Sequence, residues 1–152
     1  MKFSYLFALL FIPVLFYSCN RDLNGVGPGV NGANGNVIVA NINGVAWGAT
    51  DGYVQTIPPG GIAMTGVRSG NNSNSIEIVI SPYNGLGTYQ VNGLTKISYS
   101  EGGVNYSSTT GQITVNADND QVIEGFFNCE MISNTGSQSL SFTNGQFQVP
   151  KQ

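Results

Sequence analysis

The chain contains no histidine among its 152 residues. That removes the side chain that titrates near neutral pH, and with it the usual base of a serine or cysteine nucleophile and the commonest metal ligand. Charge is scarce as well: Asp, Glu, Lys and Arg make up 9% of the chain, against about 25% in an ordinary soluble domain. Five basic residues and a net charge of −3 give no basic face for nucleic acid and only a weak field for steering a partner. Sustained 3.6-residue periodicity is missing, which excludes a coiled coil and any long amphipathic helix. Cysteine is nearly absent, with two in the chain. What is abundant is glycine, with 21 residues, together with Asn, Ser and Thr.

The first apolar stretch runs from Phe3 to Tyr17, behind a start that carries Lys2. It is shorter than the roughly 20 residues a membrane span needs. A charged start, a short apolar core and a small residue at its end form an export signal, here residues 1–18. The junction Leu15-Phe16-Tyr17-Ser18-Cys19 resembles the lipobox of bacterial lipoproteins, in which the cysteine is acylated, typically with palmitate, and becomes the new N-terminus. That resemblance implies a lipidated Cys19, a membrane partner through the N-terminal lipid, and a place in the cell envelope on the outer membrane. Acyl chains bury about 0.8 kcal/mol per CH₂, and stable anchoring needs more than one chain. The alternative is a plain signal peptide with an incidental cysteine.

With Cys19 used as a tether, Cys129 has no partner for an intramolecular disulfide. It alternates with Phe127 and Met131, the pattern of a small buried hydrophobe on a strand. Residues 19–36 hold the anchor and a linker rich in Gly and Asn, which cannot bury enough surface to offset its ordering entropy. As a coil it spans about 20–25 Å, enough to hold a domain off a lipid surface.

From Val37 to about residue 150 the pattern is strand, turn, strand. Val37–Ile42 runs into Asn43-Gly44, a two-residue hairpin signal, and Val45–Trp47 returns. Further strands are expected at 52–57, 62–68, 75–81, 87–91, 96–100, 104–109, 112–117, 121–132 and 139–149, with Ser69–Asn74 a polar loop. The fold class is therefore all-β, an antiparallel β-sandwich or flattened β-barrel of about ten short strands. In the last strand, Leu140 and Phe142 have one parity and Phe147 and Val149 the other. A bulge at Asn144-Gly145 brings both pairs to the core, with Gly145 expected to take a positive φ. A tight Asn-Gly hairpin is the competing arrangement.

Five segments then fall in order: Ile42-Asn43-Gly44-Val45-Ala46-Trp47, Gly87-Thr88-Tyr89, Gly111-Gln112-Ile113-Thr114, Ile123-Glu124-Gly125-Phe126-Phe127-Asn128-Cys129 and Thr143-Asn144-Gly145-Gln146-Phe147. Together they resemble a family of uncharacterised lipoproteins from Bacteroidetes-type bacteria, each an export signal, a lipid cysteine and one small β domain. Cys129 stands where that family often carries an aromatic. The resemblance implies a fold and an anchor but no activity.

Chemistry has few carriers. Glu77, Glu124 and Glu130 lie on strands, but glycoside hydrolysis needs two carboxylates about 5–10 Å apart, and in-out alternation points these three to solvent. Asp118-Asn119-Asp120 is a fragment of an acidic calcium loop, which requires six to eight oxygens; an acidic turn explains it equally, so Asp118 and Asp120 are weak metal candidates. Aromatics remain. Trp47, Tyr89 and Tyr99 are expected in the core, whereas Tyr53 and Tyr83, beside Gly/Pro turns, are the candidate ligand-binding pair. The expectation is a non-enzymatic binding or assembly module without cofactor, partnered by a glycan or an envelope protein and not by nucleic acid. A carbohydrate-binding accessory lipoprotein and a small envelope hydrolase are the alternatives.

Overall fold

Alternation of apolar and polar residues along almost every segment produces strands with one buried and one outward face, and a computed structural model describes residues 37–68 and 74–151 in that form. The expected export signal, Cys19, the expected linker up to residue 36 and residues 69–73 of the expected polar loop lie outside the described residues. Ten strands follow one another: β1 (Val37–Ile42), β2 (Val45–Gly48), β3 (Asp51–Ile57), β4 (Gly61–Val67), β5 (Ser75–Ile80), β6 (Gly87–Gln90), β7 (Lys96–Glu101), β8 (Val104–Asp118), β9 (Val122–Ser133) and β10 (Ser139–Pro150). All pair antiparallel in one sheet of order β2-β1-β10-β9-β8-β7-β5-β4-β3, with β6 added beside β8. The all-β expectation holds, as a single sheet curled into a half-barrel.

The curl follows from how the two ends of this order are joined. β2 and β3 are the outermost strands, yet they are consecutive in the chain. At the corner between them the Ala49 amide donates to Ile38 O of β1 (2.8 Å) and the Thr50 amide donates to Val67 O of β4 (3.2 Å). One bent stretch of backbone thus serves both sides of the sheet. Gly66 makes room for it: a Cβ there would lie 2.9 Å from Ala49 Cβ and 3.0 Å from the Ile38 side chain.

β8 departs from the sequence expectation. Val104–Thr109 and Gln112–Ala117 form one strand, paired with β9 along its length. A register shift between Ser108 and Thr110 bends it without ending it. Its first part pairs with β7 and its last part with β6, so one long strand supports two short ones. Thr109-Thr110-Gly111 has the composition of a turn, and tertiary pairing on both edges overrides that local signal.

The core lies inside the curl. Ile38, Met64, Ile76, Ile78, Ile97, Ile113, Ile123, Phe127, Phe142, Phe147 and Val149 are buried there. Cys129 is buried among them as a free thiol. The Asn43-Gly44 hairpin is as expected, with φ of 49° and 82°; both central residues of a type I′ turn need positive φ.

The bulge in β10 is present, between Phe142 and Gly145. It places both Phe142 and Phe147 in the core. The positive φ, however, belongs to Asn144 (52°) and not to Gly145. Gly145 is required for space: a Cβ there would stand 2.5 Å from Phe127 O and 2.7 Å from the Phe127 ring. The mirror arrangement occurs one step away, where the Phe147 ring covers Gly125. Gly145→Ala is therefore expected to destabilise the domain by about 1–3 kcal/mol through overpacking. Asn144→Gly should stay within about 0.5 kcal/mol. Thermal melts followed by circular dichroism distinguish the two, and equal effects would contradict this assignment.

Candidate functional site

The registers place seven residues in one row across the outer face of the sheet: Tyr53, Thr65, Glu77, Ser98, Ser107, Ile132 and Ser139. Each comes from a different strand, and each has the parity opposite to the core residues of its strand. Around the first five of them lies an open depression of about 390 Å³, bordered also by Ser75, Ser100 and Asn105. Tyr53, Thr65, Glu77 and Ser98 are half-buried and Ser107 is exposed. Hydroxyl-bearing residues dominate its lining, which also includes Tyr99 and Tyr106 from the core side, with Glu77 as the one carboxylate among the described lining residues.

Two other outward carboxylates are held by their neighbours. Glu124 accepts a hydrogen bond from Gln148 Nε2 (2.7 Å) and Glu130 accepts one from Ser141 Oγ (2.6 Å). The Thr88 and Thr114 hydroxyls pair with one another at 3.0 Å. No side-chain hydrogen bond within the described residues engages the Glu77 carboxylate or the hydroxyls of Thr65, Ser98 and Ser107. Their donors and acceptors face the depression. The outward orientation expected for Glu77, Glu124 and Glu130 is what the registers show.

Tyr53 and Tyr83 are not brought together. Tyr83 belongs to a second, smaller pocket of about 220 Å³ at the other end of β3, with Val54, Thr56, Ile62, Ile123 and Lys151. Its ring stacks on Tyr89 (centroids 6.0 Å apart, planes at 25°), and its hydroxyl donates to Asp118 Oδ2 at 2.6 Å. Tyr89 in turn donates to Gly85 O at 2.6 Å. Tyr83 thus packs against the core margin as part of a fixed network. Burial and the Asp118 carboxylate both push its phenol upward in pKa.

Asp118 also forms an ion pair with Lys151. Burial works to raise its pKa, but the Lys151 ammonium and the Tyr83 hydroxyl outweigh this and hold the carboxyl below its ordinary 3.8. Asp120 is exposed in the following turn, which Asn119 organises by accepting from the Gln121 and Val122 amides (2.9 and 3.0 Å). Among the described residues no three His, Cys, Asp or Glu side chains gather as a metal site. Asp118 joins β8 to the chain's C-terminal end.

The large aromatics fill the core. Trp47 meets Tyr99 edge-on at 5.9 Å, and Tyr99 packs against Phe142 at 5.3 Å and Tyr106 at 5.9 Å. Trp47 and Tyr99 are in the core as expected, Tyr89 only packs against it, and Tyr106 is buried too. Tyr106 was legible in principle: it is directly opposite Tyr99 in the β7–β8 hairpin. Burial raises the Tyr99 phenol, helped by Glu101, and burial likewise pushes the Cys129 thiol up to about 12. Phe126 and Ile132, exposed on β9, complete the outer face.

An antiparallel half-barrel with a hydroxyl-lined depression on its outer face defines the class: a small all-β domain built on one curled sheet. Residues 34–150 match the family described as Domain of unknown function (DUF6252), and the chain belongs to that family. No curated protein and no solved structure matches.

Two outcomes follow. Because the folded pKa of Asp118 is depressed, its contribution is present above pH 3.8 and is lost as pH falls through the lower folded value. Asp118→Asn should therefore lower the urea midpoint at neutral pH, and the gap from the wild type should close in stronger acid; a gap independent of pH would contradict the network. Cys129, buried and with a raised pKa, should react with an aromatic disulfide reagent only after unfolding. Rapid labelling of native Cys19→Ala protein, in which Cys129 is the one cysteine left, would contradict its burial.

Proposed function

We propose that the protein is an exported, lipid-anchored binding module of the bacterial cell envelope, on the outer membrane, and a member of the Bacteroidetes-type lipoproteins its motifs resemble. The observation that carries the binding role is the Tyr53–Glu77 depression, where hydroxyls, a carboxylate and a ring face outward with no side-chain partner among the described residues. The anchor rests on the sequence: a short apolar leader, a small residue at Ser18, Cys19 directly after it, and a Gly/Asn-rich spacer before the domain.

Binding is favoured over hydrolysis on the content of the depression. Glu77 is the one carboxylate among its described lining residues, whereas an acid and its partner must both flank a scissile glycosidic bond. The outer-face carboxylates Glu124 and Glu130 are engaged by Gln148 and Ser141, and Cys129 is buried with its thiol protonated at neutral pH.

Replacing Cys19 tests the anchor. In the native host, the wild-type chain should sediment with membranes and incorporate a labelled fatty acid. Cys19→Ala should lose the label and appear in the soluble fraction, with no change in the circular dichroism of the domain. Retention of the variant on membranes would refute the lipid tether.

A further inference from the structure

Resting on the binding-module reading, we infer that the Tyr53–Glu77 depression is a cleft for a neutral glycan lying across the strands. Its axis is the row Tyr53, Thr65, Glu77, Ser98 and Ser107, which crosses β3, β4, β5, β7 and β8. Four strand steps at about 4.8 Å make this path roughly 19 Å long, the scale of a short oligosaccharide. The volume, about 390 Å³, is within the range of small-ligand sites, roughly 300–1,000 Å³.

The chemistry selects the ligand class. Serine and threonine hydroxyls both donate and accept, so they match sugar hydroxyls, which do the same. A carboxylate accepts only, and charge-assisted bonds are the stronger ones; Glu77, midway along the row, is placed to receive two adjacent sugar hydroxyls. Tyr53 supplies at one end an apolar ring face with a polar tip, suited to the C–H face of a pyranose. Among the described lining residues there is no Lys or Arg, so an anionic ligand would meet Glu77 without a compensating charge in the lining. An extended peptide would use a free strand edge or deep apolar pockets, and the row runs across strands over mostly hydroxyl-bearing side chains.

The outer face of the sheet contains its own comparison. Elsewhere on it, Glu124 is engaged by Gln148, Glu130 by Ser141 and Thr88 by Thr114, whereas the exposed Asp51 and Thr143 lie outside this depression. Along the Tyr53–Ser107 row, the same kinds of group are left for a ligand.

Full-length protein in a sugar-free detergent would be titrated calorimetrically with cellohexaose, xylohexaose, mannohexaose and chitohexaose, and with hexagalacturonate as the anionic probe. At least one neutral hexamer should bind with a Kd below about 1 mM. Tyr53→Ala and Glu77→Gln should each weaken it by about tenfold or more, with little change in melting temperature. Hexagalacturonate should bind at least about tenfold more weakly than that neutral hexamer. Should Tyr53→Ala fail to fold, Ser107→Trp, at an exposed position, should block the other end of the cleft. No binding by any neutral hexamer, tighter binding of the galacturonate, or binding unaffected by these variants would overturn the glycan assignment. Membrane release of Cys19→Ala is measured separately, so an anchored protein that binds none of the hexamers refutes the cleft and leaves the anchor intact.

Discussion

Two phenylalanine rings lying over two glycines hold β9 and β10 in register, and the pairing of the long central strands depends on that contact. Phe127 covers Gly145 and Phe147 covers Gly125, each pair directly opposite across the two strands. A side chain at either glycine would collide with the facing strand or ring. Both rings are buried, and burying each contributes about 1.5–3 kcal/mol. Because the pairs are reciprocal, sliding β10 by one residue would put each ring against the wrong neighbour. The extra residue at Asn144 allows this: it restores the parity that lets Phe142 and Phe147 enter the same core.

The outer face takes its form from the same constraint. With β8, β9 and β10 locked in register, β8 can bend at Thr110 and give its first half to β7. β7 then carries β5, β4 and β3, and the corner at Ala49-Thr50 returns the chain to β1. Side chains opposite the core fall into cross-strand rows as a consequence of the pairing. The row from Tyr53 to Ser107 is one of them, and its place over the half-buried Thr65, Glu77 and Ser98 gives it depth. The candidate site is thus a by-product of register, built on strands and not on loops, which favours a preformed surface.

How much of this was legible beforehand can be judged from particular residues. The Asn43-Gly44 hairpin, the strand boundaries outside β8 and the β10 bulge were visible because each rests on local rules: positive φ, period two and parity. Tyr53 was visible as an aromatic beside a turn. Tyr83 had the same local signature, yet it is tied to Tyr89 and Asp118, residues 6 and 35 positions away. Glu77, Thr65 and Ser98 gave no local sign of belonging together. The signal that finds them is the pairing of five strands, which no window of sequence contains. The turn-like composition at Thr109-Thr110-Gly111 misled for a similar reason, since pairing on both edges kept β8 extended there.

The sequence by itself determined the class of structure, an all-β domain that follows a Gly/Asn-rich stretch, and its lack of histidine removes the commonest side-chain base. Those properties follow from composition and from contacts between near neighbours, where backbone preference and alternation act directly. The tertiary structure alone decided which glycines are indispensable, which tyrosine packs into a fixed network, and which polar residues meet across five strands. Each of those outcomes depends on register between segments far apart in the chain. Register is set by the packing of the whole core, not by the residues that end up facing the cleft.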